Sequence, residues 1–147
     1  MTVTQISVMV ENAPGKAVDI FGALARAKVN VTAVSVVDTA DQGVVRLLVS
    51  DVAKAKAVLK KKGLAFSTAP VLAVAIPNRP GSLAKLLTPL ARKKINVEYL
   101  YGSTCACSAD SCGCDEEGCA NIIILRVKDA QSAAKVLKAA RYKLIKP

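Results

Sequence analysis

The sequence contains no histidine and no tryptophan, and its 147 residues include only two phenylalanines and three tyrosines. Without histidine, catalysis by serine–histidine or cysteine–histidine pairs and metal ligation by imidazole are excluded. With so few aromatic side chains, a sheet surface that stacks nucleic-acid bases is poorly supplied. No nucleophile–base pair or carboxylate constellation is recognisable either, and we therefore predict a protein that is not an enzyme.

Long hydrophobic runs are also missing from the chain. No apolar stretch approaches the roughly 18 residues that a membrane-spanning helix needs. The opening residues, Met1 to Gln5, lack the basic start and apolar block of a signal peptide. We therefore expect a cytoplasmic protein with reduced thiols and without a membrane partner.

The formal net charge is +10, from 21 Lys and Arg against 11 Asp and Glu. Such an excess is typical of proteins that bind nucleic acids. Here the basic residues are spread over the predicted helices, which favours solvated helix faces over a polyanion surface. Nucleic-acid binding is therefore only the third functional hypothesis.

A short sequence, Asn-x-Pro-Gly, occurs twice, at residues 12–15 and 78–81. Each copy follows an apolar run that predicts a strand and precedes apolar residues at helical spacing. Pro-Gly favours a type II turn, because proline presets φ at one central position and glycine accepts a positive φ at the next. A strand that turns directly into a helix leaves unpaired backbone N–H groups at the helix start, where a carboxylate can bind.

The two copies belong to an internal repeat. An offset of 66 residues superposes Pro14 on Pro80 and Asn30 on Asn96, whereas Asp51 matches Asp129 at an offset of 78. The second half therefore carries 12 extra residues between these anchors, and they fall in a cysteine-rich stretch. We predict two domains, residues 1–69 and 70–147, with the insertion at 103–119 in the hairpin between strands 2 and 3 of the second domain.

Within each half the periodicities predict the order strand, helix, strand, strand, helix, strand. This βαββαβ order predicts an α+β fold of two ferredoxin-like domains, each with four antiparallel strands and both helices on one face. Separate closing strands are predicted near Leu64 to Thr68 and near Tyr142 to Ile145, and the stretch Ser67 to Pro70 is interpreted as punctuation before the next predicted strand, Val71 to Ile76. The run Ile122 to Leu125 is apolar on both alternating faces, so we expect a second copy of the chain to cover the other face and form a homodimer.

Five segments carry a resemblance to a known family: Val10 to Gly15, Val29 to Val31, Ser35 to Gly43, Pro77 to Leu83, and Ile95 to Tyr101. In these segments, and in their order along the chain, the sequence resembles the stand-alone tandem proteins of the ACT-domain family. The resemblance covers nearly the whole chain. It implies a joint eight-stranded antiparallel sheet, a free amino acid held between the two domains, and a metabolic enzyme as the regulated partner.

The resemblance also implies where the amino acid binds, namely between the strand-1/helix-1 turn of one domain and the start of strand 2 of the other. Turn N–H groups would bind the carboxylate of the ligand, and asparagine and strand carbonyls would accept from its ammonium. One candidate site comprises Asn78, Arg79, Pro80, Gly81, Ser82, Leu83, Asn30 and Val31. The other comprises Asn12, Ala13, Pro14, Gly15, Asn96 and Val97.

Simpler roles exist for the asparagines. Asn12 and Asn78 can cap their own turn backbones, and Asn30 and Asn96 can be ordinary loop residues between helix and strand. The site at Asn78 is preferred, because Ser82 and the leucine after it follow the family pattern more closely than their first-half counterparts.

The five cysteines all fall in the insertion, with the spacing C-x-C-x4-C-x-C-x4-C. Thiolates at this density suit zinc, copper(I) or an iron–sulfur cluster, whereas redox chemistry and an unliganded segment are alternatives. The candidate metal ligands are Cys105, Cys107, Cys112, Cys114 and Cys119. This segment is expected at the same end of its domain as the Asn78 turn, where its metal or redox state would modulate amino-acid binding.

The leading hypothesis is therefore a non-catalytic, amino-acid-binding regulatory protein that requires no cofactor. The alternative hypothesis is a metal- or thiol-sensing protein that uses the cysteine segment on the same scaffold.

Overall fold

The computed structural model describes residues 1–39, 42–104 and 121–146. Within these ranges no helix is long and apolar enough to cross a membrane. The elements are β1 (Val3–Glu11), α1 (Lys16–Arg26), β2 (Val31–Thr39), β3 (Gln42–Val49), α2 (Val52–Lys61), β4 (Phe66–Ile76), α3 (Ser82–Arg92), β5 (Val97–Thr104), β6 (Asn121–Val127) and α4 (Ala130–Ala139).

The chain divides into two compact units. The first unit is Thr4–Ala69, and the second comprises Met1–Val3 and Pro70–Pro147. In the first unit, β3 pairs antiparallel with both β1 and β2. The start of β4 lies on the side of β1 that faces away from β3. There the Met9 amide donates to the Ala65 carbonyl at 2.9 Å.

The second unit repeats this arrangement. Strand β6 pairs antiparallel with β4 and β5, and Val74 of β4 bridges to Leu144 on the side away from β6. In both units the strand order is that of a ferredoxin-like fold, which confirms the predicted topology.

The predicted number of eight strands is wrong, because the described residues form six. The predicted strands Leu64 to Thr68 and Val71 to Ile76 are one continuous strand, β4. Pro70 lies inside it without ending it, since the φ of proline and the restricted conformation of the preceding residue are both compatible with extended backbone. The predicted closing strand at Tyr142 to Ile145 is reduced to the single bridge at Leu144.

Both helices of each unit pack on one face of its strands, as predicted. In the first unit, Ile6 and Leu47 of the strands share a buried cluster with Leu24 of α1 and Leu59 of α2. The second unit has the corresponding cluster of Leu72, Leu125, Leu86, Leu90 and Leu137. Each fully buried leucine stabilises the fold by about 1.5–3 kcal/mol, so these clusters hold the helix starts against the strand ends.

The opposite face of the strands differs between the units. In the second unit Ala73 and Ile124 are buried in the single chain, with exposed fractions of 1% and 0%. The apolar run around Ile124 therefore does not require a second copy of the chain to cover it. In the first unit Met9 and Val37 remain exposed and flank Val44 in one row. The homodimer stays a prediction.

Candidate ligand-binding site

Both Asn-x-Pro-Gly sequences form type II turns, as predicted. In the first turn the Lys16 amide donates to the Ala13 carbonyl at 3.3 Å, and Gly15 has φ 86° and ψ −18°. The second turn has the same hydrogen bond at 3.2 Å, and its Gly81 has φ 83° and ψ −10°. These angles match the third position of a type II turn, which only residues that tolerate a positive φ occupy easily.

The two helices that begin at these turns have no side-chain cap, whereas the other two helices are capped. Asp51 accepts from the Lys54 amide at 2.9 Å at the start of α2. Asp129 accepts from two amides at 3.0 Å at the start of α4. The first amides of a helix have no partner within the helix. The N-cap glycines of α1 and α3 supply no side-chain acceptor, so these helix starts can bind an anionic group.

Beside the first turn lies a cleft of about 340 Å³. Its walls are the end of β1, the first turn of α1 and the chain that follows α2. An ion pair of 3.0 Å joins Lys16 to Glu11 within this lining, and Asp19 adds a second carboxylate. The lining residues are Met9, Val10, Glu11, Lys16, Asp19, Ile20, Lys62 and Leu64. Since the cations face as many carboxylates, this cleft attracts an anion weakly.

The second unit has a cleft of about 310 Å³ at the equivalent place in the repeat. At the repeat offset of 66, Pro77 stands at the position of Glu11 and Lys85 at that of Asp19, so the second cleft has neither carboxylate. The lining residues are Pro77, Arg79, Pro80, Ser82, Lys85 and Tyr142. This cleft combines two cations and two hydroxyl groups with no acidic residue, which is suitable chemistry for an oxyanion. Three of its lining residues belong to the predicted site.

A residue that the sequence analysis missed contacts the second turn. The Asn121 side-chain amide donates to the Asn78 carbonyl oxygen Oδ1 at 3.0 Å. Asn121 is the first residue of β6 and pairs with Ile76 of β4 and Thr104 of β5. Its counterpart in the repeat, at an offset of 78, is Gly43. That exchange of glycine for asparagine is the sequence signal from which its role could have been inferred.

The same pairing places the ends of the cysteine-rich segment. Thr104 and Asn121 are paired at the end of the second unit that carries the Asn78 turn, as predicted. The predicted metal ligands Cys105, Cys107, Cys112, Cys114 and Cys119 lie outside the described residues. Within the described ranges, no group of three or more His, Cys, Asp or Glu could hold a metal ion.

The predicted strand-2 residues lie at the other end of their own units. Val31 pairs with Val49, and Val97 pairs with Val127, whereas the turns follow the opposite ends of the sheets. Two hydrogen bonds join Asn30 to Ser50. The backbone amide of Asn30 donates to Ser50 Oγ at 3.0 Å, and the backbone amide of Ser50 donates to the backbone carbonyl of Asn30 at 2.9 Å. Each predicted site joins residues of different units, and both pairings stay predictions.

A family model described as an ACT domain pair matches residues 1–146. No curated protein gives a significant match.

Several solved structures share the fold. The chain is similar to protein BT0572 from Bacteroides thetaiotaomicron, with a TM-score of 0.85 and 28% identity over 99% of this chain and 92% of that one. It is also similar to the ligand-free regulatory subunit of aspartate kinase from Thermus thermophilus, with a TM-score of 0.64 and 18% identity over 94% and 90% of the two chains. For the aspartokinase alpha and beta subunits the TM-score is 0.61, with 19% identity over 94% and 91%. On the family match over almost its whole length, this chain belongs to the ACT domain pair family.

Proposed function

We propose that the protein is a regulatory module that binds a free amino acid at its Asn-x-Pro-Gly turns. The observation that supports this most strongly is that α1 and α3 begin at type II turns without a side-chain cap, unlike α2 and α4. The carboxylate of an amino acid supplies the missing acceptor for helix N-terminal amides. In this proposal the protein has no catalytic role and needs no cofactor.

The second turn is the better site. The lining of its cleft includes Arg79 and Lys85 and no acidic residue, whereas in the first cleft Lys16 already pairs with Glu11. A ligand carboxylate can therefore accept a charge-assisted hydrogen bond from a cation of the second cleft.

Further parts of the proposal concern what surrounds the ligand. We expect Asn30 and Val31 to complete the site at the second turn and Asn96 and Val97 to complete the one at the first, as the family resemblance implies. We also expect a homodimer in the cytoplasm that regulates a metabolic enzyme. The structures that share the fold include a regulatory subunit of aspartate kinase, which supports an enzyme as the partner.

A thermal-shift screen against the twenty standard amino acids tests the proposal. A ligand that binds only the folded state raises the melting temperature in proportion to the logarithm of its concentration. Lys85→Glu should abolish most of the shift, whereas Lys135→Glu, the same charge change on the exposed face of α4, should retain it. Failure of all twenty to stabilise the protein would contradict amino-acid binding.

A second candidate function is sensing of a thiophilic metal or of thiol oxidation by the cysteine-rich segment. The pairing of Thr104 with Asn121 favours it, because these two residues flank the segment and lie at the end of the second unit that carries the Asn78 turn. Elemental analysis of protein purified without chelator tests metal binding. Zinc, copper or iron close to stoichiometric supports it, and metal-free protein with freely titratable thiols contradicts it.

A further inference from the structure

The hydrogen bond between Asn121 and Asn78 distinguishes the second turn from the first. Its donor is Asn121 Nδ2, its acceptor is Asn78 Oδ1, and the distance is 3.0 Å. In the first unit the position of Asn121 is occupied by Gly43, which has no side chain that could make the same bond to Asn12.

The space for a side chain at position 43 is tight. A Cβ atom at Gly43 would come within 3.3 Å of a methyl group of Val10, which would have to shift by a few tenths of an ångström. In the second unit the residue equivalent to Val10 is Ile76, and Asn121 pairs with it in the ladder. The two units therefore differ in packing at the position that faces the turn.

We infer that Asn121 is a positioning residue that sets which groups of Asn78 face an amino-acid ligand. This inference rests on the proposed function. With Oδ1 accepting from Asn121, the amide plane of Asn78 is held in one orientation and its Nδ2 group lies on the side away from the donor. Asn78 then offers N–H donors to the ligand, which match a carboxylate, and keeps only one lone pair on Oδ1.

This orientation agrees with the charge of the adjoining cleft. Lys85 and the hydroxyl of Ser82, which line the cleft beside this turn, also suit a carboxylate. On this inference Asn78 donates to the carboxylate of the ligand, whereas the sequence led us to expect that it accepts from the ammonium.

The orientation can be tested with two variants of Asn121. Asn121→Asp is nearly isosteric but cannot donate to Oδ1, and Asn121→Gly reproduces the local sequence of the first unit. The wild type, both variants, Asn78→Ala and the double variant Asn78→Ala with Asn121→Gly are titrated calorimetrically with the same panel of twenty amino acids.

We expect Asn121→Asp and Asn121→Gly to weaken binding by about three- to tenfold, the usual value of one hydrogen bond. The double variant should bind no more weakly than Asn78→Ala alone, because Asn121 acts only through Asn78. A general loss of structure would instead weaken binding further in the double variant. Side-chain NMR signals of Asn78 add a readout without ligand. Loss of the Asn121 donor should make the two Nδ2 protons of Asn78 exchange faster with solvent.

Three results would overturn the inference. If Asn78→Ala weakens binding and both Asn121 variants bind like the wild type, the positioning role is wrong and amino-acid binding stands. If the two single effects add in the double variant, Asn121 acts independently of Asn78. If the wild type binds none of the panel, the proposed function fails and the inference fails with it.

Discussion

The ammonium of Lys16 lies 3.0 Å from the carboxylate of Glu11 and bridges the end of β1 to the start of α1. The repeat replaces this pair by Ser82 and Pro77, neither of which is charged. Two clefts that the fold places at equivalent positions therefore have different electrostatics. The second cleft instead takes its positive charge from Arg79 and Lys85, and its lining includes no carboxylate.

Glu11→Gln should strengthen anion binding at the first turn, because Lys16 loses its internal partner. The side chains are 46% and 70% exposed, so the change in the free energy of unfolding should stay within about 1 kcal/mol, as for other surface ion pairs. Amide chemical shifts of the first turn of α1, followed during titration with sodium acetate, measure the effect.

Glu98→Gln is the matched control for this experiment. It removes the same charge from a partly exposed ion pair, here with Arg126 at 3.3 Å on β5 and β6. If both variants shift the acetate titration at α1 equally, the effect comes from net charge alone and the role of the Glu11 pair is wrong.

Gly81→Ala should lower the free energy of unfolding by about 1–2 kcal/mol, since Gly81 has a φ of 83° and an L side chain is strained there. No atom lies within 4 Å of the Cβ that would be added, so the cost comes from the backbone rather than from a clash. Gly81→Asn should cost less, because asparagine tolerates this conformation. Urea denaturation gives the three free energies.

Gly102→Ala provides the comparison for that series. Gly102 lies in β5 with open space around its Cβ position and without a positive φ. The substitution Gly102→Ala should leave the free energy of unfolding nearly unchanged or raise it slightly, because alanine reduces the entropy of the unfolded chain. Equal losses at positions 81 and 102 would contradict the assignment of the strain to the turn.

Asp129→Ala should destabilise α4 by about 1 kcal/mol, because its carboxylate accepts from the amides of Gln131 and Ser132 at the helix start. Ser82→Ala at the start of α3 removes no side-chain cap and should change stability by less than about 0.5 kcal/mol. Hydrogen exchange of the α4 and α3 amides separates the two effects. Equal loss of protection in both helices would show that α3 is capped after all.

Much of this architecture follows from the repeat. The two Pro-Gly pairs predicted both type II turns, because proline presets φ and glycine accepts a positive φ, and neither property needs tertiary information. Pro70 was misleading for the same reason: it was interpreted as punctuation between strands, although its φ is compatible with an extended chain and β4 passes through it.

The clefts and the Asn121 contact could not be predicted in the same way. They depend on which side chains from distant parts of the chain meet. Tyr142 joins the second cleft from the chain end after α4, 57 positions beyond Lys85. Asn121 contacts Asn78 across 43 positions. Local propensity carries no information at such separations, and only the mismatch between the two halves of the repeat marks these residues.

Changing all five cysteines to serine should remove any effect of zinc on amino-acid binding at the second turn. The physical reason is the short route from the segment to the ligand: residue 120 precedes Asn121, which donates to Asn78 at 3.0 Å. Binding is measured by calorimetry for wild type and the serine variant, each with EDTA and with added zinc. We expect zinc to change the wild-type affinity and to leave that of the variant unchanged. Equal affinities in all four titrations would show that the cysteine segment and the turn are not coupled, whether or not the segment binds metal.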